Sequence, residues 1–328
     1  MTHALPAAAL LAAASLLVCS IATAQESASS FPSRPVTIII PFAAGGPNDK
    51  EVRIEGDKMA ELLGQPFLTD FRTGAGGTIA TNYVAKSKPD GYTLLLQMGS
   101  FTAAPALFND LPFDSLKDFA PVALMSKKPF IFLVRPSFPA SNMKEYLAYA
   151  AANPGKVNFG TSGVGSLQHL AGAWLHGLTN TRVTFIPYKG TSQVLLDLTA
   201  GRLDIANMSL AAALPLVKAG KMRSIGVTDD RRSSSLPGAP TVMEQGVAGY
   251  NFTSWLGYSV PAATPAPILA KLNDSFVKSA RAPDVIAALE ADGAIAVGST
   301  PAQYRQLIVS EVERWKKIVQ DNNIKVEE

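Results

Sequence analysis

Short runs of apolar residues recur along the chain, each followed by a loop of small residues and then by a segment of helical period. The first run, Val36-Thr37-Ile38-Ile39-Ile40, is β-branched and apolar on consecutive positions, which predicts a strand covered on both faces. Pro41 ends it, Gly45 and Gly46 turn the backbone, and Asn48 or Asp49 is placed to cap a helix over 49–63 that Gly64 closes. A strand over 67–70, the loop Arg72-Thr73-Gly74-Ala75-Gly76-Gly77 and a helix over 78–86 repeat the pattern. After the turn Pro89-Asp90-Gly91, a buried strand over 93–98 runs into Gly99-Ser100. Three strand–loop–helix units with loop chemistry on one side predict a parallel sheet flanked by helices.

Residues 120–134 differ. They are long and apolar, broken only by Ser126-Lys127-Lys128-Pro129, and read as an extended segment leaving the first sheet. A second α/β run follows: a helix over 141–153 capped by Ser141, a strand over 157–160, the loop 161–166 and a helix to 178. Strands over 183–186, 203–206 and 223–227 complete it, with helices to 200 and after Asn207-Met208-Ser209. Residues 252–260, again long and apolar, return the chain to the first sheet. Helices over 266–281 and 283–291, a short strand over 294–297 and a helix from Thr300-Pro301 to about 322 finish the chain. The fold class expected is α/β in two lobes, each a mainly parallel sheet flanked by helices, joined by two crossing segments with a cleft between. Lobe 1 takes 25–125 and 253–328, and lobe 2 takes 126–252.

The amino-terminal residues change the picture of where the chain works. An apolar run over 7–18 and the small-x-small triplet Ala22-Thr23-Ala24 predict a signal peptide over 1–24, cut after Ala24, and export to the periplasm. Cys19, the single cysteine, lies inside it and lacks the small residue a lipobox needs before it. The exported chain then has no cysteine, which excludes disulfides, thiolate catalysis and cysteine-ligated metals. It must rely on its core, and a chain of this size buries roughly 75% of its unfolded surface. A net charge of +3, with no basic run, argues against nucleic acid.

Every small-residue loop falls at the carboxyl end of a predicted strand, the edge where open parallel sheets bind ligands. Strand, glycine loop and helix start together make a pocket of N–H groups at a positive dipole end. Many N–H and O–H donors with few acids point to a carboxylate ligand. Arg72 and Lys189 are candidate cations, and Tyr188 a candidate hydrogen-bonding group. His169 and His176 lie seven apart on one helix, roughly 10 Å along its axis, too far for joint chelation. No GxxxxGK[ST] occurs, and Gly74-Ala75-Gly76-Gly77-Thr78-Ile79 fails GxGxxG at its last position. Gly160-Thr161-Ser162-Gly163-Val164 has valine where a nucleophile elbow ends in glycine. No metal and no cofactor are expected. The alternative to a binding protein is an exported serine-type hydrolase using Ser162 or Ser166 with His169.

The chain resembles the Bug-type (Bordetella uptake gene) receptors, the periplasmic substrate-binding components of tripartite tricarboxylate transporters. The resemblance rests on Phe31-Pro32-Ser33-Arg34-Pro35, the loop from Pro41 to Asp49, Arg72-Thr73-Gly74-Ala75-Gly76-Gly77, and Lys88-Pro89-Asp90-Gly91-Tyr92-Thr93-Leu94-Leu95. Lys117-Asp118-Phe119-Ala120-Pro121-Val122, Ser162-Gly163-Val164-Gly165-Ser166 with His169-Leu170-Ala171-Gly172, and Pro187-Tyr188-Lys189-Gly190 continue it in order. It implies a Venus-flytrap (type II periplasmic binding) protein, not an enzyme. Such a receptor captures a small di-, tri- or aromatic carboxylate and delivers it to membrane permease subunits. A monomer is expected.

By matching position the resemblance implies a ligand site of Phe42, Ala43, Ala44, Gly45, Gly46, Asn48 and Asp49, with Gly74, Ala75, Gly76 and Gly77. Ser100, Thr161, Ser162, Gly163, Ser166, His169, Tyr188, Lys189, Gly190, Thr191 and Asn207 join them. There are departures. Pro47 stands where the family has a donor glycine, and Lys50 and Glu51 where it has an apolar helix start. The acidic residue common near Met208 is missing, which weakens an amino-acid ligand. Phe101 is expected to offer a face to an aromatic ring.

Overall fold

In the computed structural model, residues 29–42, 44, 47–291 and 293–325 are described. The expected signal peptide and its cut after Ala24, together with Ala43, Gly45 and Gly46, lie outside the described residues.

Strands β1 (Val36–Ile40), β2 (Phe67–Phe71) and β3 (Thr93–Met98) form a parallel triplet with β1 at its centre. Val36, Ile38 and Ile40 enter one apolar cluster and Ile39 another, so β1 is covered on both faces as its unbroken apolar run requires. Helices α1 (Pro47–Leu63), α2 (Thr78–Ala85) and α3 (Gly99–Leu107) follow these strands in turn. The long segment 120–134 is a strand, β4 (Phe119–Val134).

A second triplet holds β5 (Asn158–Thr161) between β6 (Thr184–Pro187) and β7 (Ile205–Ser209), with α4 (Met143–Ala152), α5 (Leu167–Leu178), α6 (Thr191–Thr199) and α7 (Leu210–Lys218) around it. Strands β8 (Arg223–Val227), β9 (Thr253–Pro261) and β10 (Ile295–Ala296), then α8 (Ala266–Ala280), α9 (Pro283–Ala291) and α10 (Pro301–Asp321), complete the chain. Hydrogen bonds join the strands in the order β2-β1-β3-β9-β4-β7-β5-β6, with β8 and β10 on β4.

The expected mainly parallel sheets hold for the two triplets and fail between them. The crossing segments are paired strands: β9 runs antiparallel to β3 and β4, and β4 antiparallel to β7, β8 and β10. Apolar periodicity predicts that a segment is buried and extended but not its neighbour's direction, which here is set by the chain crossing and returning. β4 pairs with β9 through Pro129 and with β7 from Phe130, so the two halves of the fold meet along one strand.

Two helices show how local sequence fixes an end. Thr300 and Gln303 form a reciprocal capping box on α10, with Pro301 at its first position. For α4 the cap is Asn142, which accepts from the Glu145 N–H, and not Ser141, whose own N–H donates to Glu145 Oε2. α10 straddles the halves. Its Tyr304, Ile308 and Val312 pack with Ile39, Leu95 and Trp255, and its Trp315 and Ile318 pack with Phe130, Phe159 and Phe252. Among the described residues no helix is long and apolar enough to cross a membrane.

Candidate functional site

Loops at the carboxyl ends of β1, β3 and β5 face one another across a cavity of about 720 Å³. Its first wall is Phe42 behind β1, Ala75, Gly76 and Thr78 at the start of α2, and Ser100, Ala103 and Leu107 on α3. The last three recur at i, i+3 and i+7, one stripe of a helix. Phe108, Asp110, Leu111 and Pro112 extend this wall past the end of α3. The second wall is Ser162, Gly163, Val164, Gly165, Ser166 and Leu167, ahead of and into α5.

Three helices therefore begin at this cavity. The first N–H groups of a helix have no partner within it and carry the positive end of its dipole, so the place suits an anion. The side chains add hydroxyls from Thr78, Ser100, Ser162 and Ser166. Among the described residues Asp110 is the one charged side chain in the lining, and no cation joins it.

The second wall is braced by side chains. Ser166 caps α5, accepting from the His169 N–H at 3.2 Å. Ser162 Oγ donates to Gln168 Oε1 at 2.6 Å, and Gln168 Nε2 donates to Thr191 Oγ1 at 3.1 Å, tying the loop after β5 to the start of α6. Gly163 sits at φ 138°, a backbone a side chain would strain. Gln168, Thr78 and the Ala103–Leu107 stripe are missed by sequence reasoning. The stripe was readable from the i, i+3, i+7 spacing once α3 is known to begin at Gly99.

Of the expected ligand residues, Phe42, Ala75, Gly76, Ser100, Ser162, Gly163 and Ser166 meet at the cavity. Gly74 and Gly77 flank the turn before α2 with φ of 123° and 97°. Ala44 is exposed. Asn48 accepts from Lys128 Nζ at 3.2 Å and donates to Met98 Sδ at 3.5 Å, while buried Asp49 pairs with Arg53 at 2.8 Å. Buried Thr161 closes its own loop, donating to the Gly163 carbonyl at 3.4 Å.

Phe101 is corrected. It is buried edge-on against Phe119, 5.4 Å between ring centres, one position off the cavity stripe, and Phe42 and Phe108 are the aromatic rings in the lining. Tyr188 lies outside the lining, its hydroxyl donating to Asp197 Oδ2 at 2.7 Å; Lys189 beside it is exposed, and Gly190 turns at φ 130° into α6. Arg72 lies outside the lining too, paired with Asp70 at 3.0 Å and stacked on Tyr83. Asn207 is buried on β7, with neither amide atom partnered among the described residues.

The serine–histidine arrangement does not form. His169 Nδ1 accepts from the Gly165 N–H at 3.1 Å, so its remaining nitrogen carries the proton and is a donor. Its ring lies against Phe185 at 4.6 Å, and burial lowers its pKa. No carboxylate bonds it among the described residues. His176 is core: it lies between the Tyr146 and Thr181 hydroxyls, and burial pushes it down to about 3.

Beneath α1, Glu51 and Glu55 are buried on one face. Glu51 meets the Lys128 ammonium and the Ser126 hydroxyl of β4, and Glu55 Oε2 accepts from the Tyr258 hydroxyl of β9 at 2.6 Å. Burial first, and the neighbouring Glu51 charge second, hold the Glu55 carboxyl well above the usual range. The charged helix start that departs from the family pattern is thus answered by a lysine from the crossing strand.

Residues 52–324 match the tripartite tricarboxylate transporter family receptor. The chain belongs to this family. BugT of Bordetella pertussis is 33% identical over 307 residues, 92% of this chain and 94% of that protein. Among solved structures, Rpa4515 of R. palustris with adipate is 32% identical, covers 90% of this chain and 99% of its own, and superposes with a TM-score of 0.76. MatC of Rhodopseudomonas palustris with bound malate is 34% identical, covers 88% and 100%, and gives 0.73. In this member of the family, helix starts and small-residue loops gather at one cavity.

Proposed function

We propose that this receptor captures a small carboxylate in the cavity between two closing lobes, in the periplasm, and hands it to membrane permease subunits. The observation that carries the reading is a cavity of about 720 Å³ at which three helices begin among neutral hydroxyl donors. Helix dipoles and N–H groups bind an anion without a buried cation and its desolvation cost. The relatives with adipate and with malate support the ligand class. The lobes of this reading are 25–125 with 253–328, and 126–252, with the crossing within β4. Closure is stabilised when one ligand touches both walls. Asn207, buried and without a partner among the described residues, joins the grip in the closed form.

Native mass spectrometry of the protein as purified, with a thermal-shift screen of small acids, tests the reading. A retained or added carboxylate is expected to raise the melting temperature without turnover, and to add about 2.7 kcal/mol of stability at one hundred times its Kd. Product formation that Ser162→Ala abolishes while binding persists would overturn it in favour of the hydrolase.

A further inference from the structure

Helix α2 borders two hollows. Thr78, its first residue, lines the cavity described above, and Ile79 lines a separate cleft of about 980 Å³. Ile79, Asn82, Tyr83 and Lys86 recur at i, i+3, i+4 and i+7, so one stripe of the helix forms a wall of this cleft. Leu68 of β2 and Thr93 of β3 both register with Thr37 of β1, which puts Leu68 on the sheet face that Thr93 gives to the cleft. Among the described residues eight large apolar side chains are exposed, and three stand in or beside this cleft: Ile79 at 53%, Leu68 at 52% and Tyr83 at 41%. The stretches 31–35 and 88–95, which the cavity does not use, meet here. Arg34 pairs with Asp90 at 3.0 Å and lies over the Tyr92 ring at 3.7 Å. Arg72 pairs with Asp70 and lies over the Tyr83 ring at 3.4 Å. Lys86 and Lys88 are exposed and have no ion pair among the described residues.

Four cations therefore stand against Asp90 in the lining and Asp70 beside it, an excess of two in a chain whose net charge is +3. We propose that this cleft is a docking surface for an acidic segment of a partner protein, one that carries apolar side chains between its carboxylates. The proposal does not depend on the carboxylate reading above. Exposed apolar side chains interleaved with arginine and tyrosine have the composition of an interface. Each arginine is already held by an ion pair and a ring, so docking costs it little rotamer freedom. Lys86 and Lys88 supply unpaired charge that steers an acidic partner and sets its register. A small polyanion would leave Ile79 and Leu68 in water and find only two unpaired lysines. A bilayer is flat on this scale and would meet the rim of the cleft, not its walls.

Fluorescence anisotropy at low salt tests this with a short labelled peptide in which glutamate alternates with leucine and glycine, and with its glutamine twin. The glutamate peptide is expected to bind the parent about tenfold tighter than the twin, and a carbodiimide should couple it to Lys86 or Lys88. Lys86→Glu with Lys88→Glu should weaken it about tenfold and flatten its salt dependence. Leu68→Ser with Ile79→Ser should weaken it about fivefold and leave the salt dependence as in the parent. All four residues are exposed, so both variants should keep the parent's melting temperature. A glutamate peptide that binds no tighter than its twin, that couples to lysines away from the cleft, or that binds the charge-reversed variant as it binds the parent overturns the proposal. Vesicles of phosphatidylglycerol and phosphatidylethanolamine that sediment the parent but not the charge-reversed variant, with no peptide bound, overturn it in favour of a membrane surface. Tripolyphosphate bound by the parent when the peptide is not overturns it in favour of a small-anion site.

Discussion

Beneath α1 the fold buries Glu51, Glu55 and Lys128 in one cluster, whereas the cavity between its halves is lined by hydroxyls, peptide N–H groups and apolar side chains with Asp110 alone bearing charge. On the proposed function, both places handle anions away from bulk water. In the cluster the partner of Lys128 is built into the fold as Glu51, so a lysine can be fixed against it and a hydrogen bond from Ser126 can complete its shell. In the cavity the anion comes and goes. A cation fixed there would stand unpaired whenever the ligand left, whereas helix ends and hydroxyls return to water at little cost. Asn48 touches the first arrangement through Lys128.

The largest effect should come from taking the cation out of the cluster. Lys128→Met leaves Glu51 buried without its partner. The range for a broken buried pair is 3–5 kcal/mol, and since Lys128 keeps 14% of its side chain exposed, a loss of about 3 kcal/mol is expected in urea unfolding. The double variant Glu51→Leu with Lys128→Leu should recover most of this, because it removes the charge and its partner together. It should also bind carboxylates as the parent does. A folded double variant that no longer binds would break the comparison, since it would make Lys128 part of the grip.

A smaller effect, with a direction in pH, should come from Glu55. Its folded pKa is raised by burial and by Glu51, so the folded chain holds a proton that the unfolded chain releases above about 4.3. Its contribution is therefore full below that value and falls as pH rises through the folded pKa, by at most about 1.4 kcal/mol per unit for one proton. Glu55→Gln keeps a neutral group beside Tyr258 and should flatten this decline, gaining on the parent as pH rises above the ordinary glutamate range. Parallel stability curves for the two proteins would show that Glu55 is ionised in the fold.

The same contrast explains what was legible from sequence. Strand β1 and helix α10 were readable because their signals are local: an unbroken β-branched run, and Thr300-Pro301 at the helix start. The pairing of β4 with β9 and β7 was not, because apolarity predicts burial and leaves the neighbour open. At the site, glycine and serine loops announced themselves by composition. Side-chain direction did not. Phe101 turns to Phe119 while Ser100 next to it faces the cavity, and only the start of α3 at Gly99 decides between them. Glu51 stands out only as a charge where the family has an apolar helix start, and its partner Lys128 lies more than seventy positions away.

The smallest effect should come from the cation that sequence placed nearest the ligand. Lys189 is exposed, its backbone N–H donates to Gln193 Oε1, and its side chain is not in the cavity lining. If the grip is made by dipoles and neutral donors, Lys189→Met should change carboxylate affinity by less than about twofold, the scale of one screened surface charge. Raising the salt concentration should then weaken parent and variant alike. A tenfold loss in Lys189→Met, erased from the parent by salt, would mean that the loop after β6 swings its ammonium over the bound acid. The cavity would then share the chemistry of the cluster beneath α1, a fixed cation against an anion, and the contrast between the two regions would collapse at that loop.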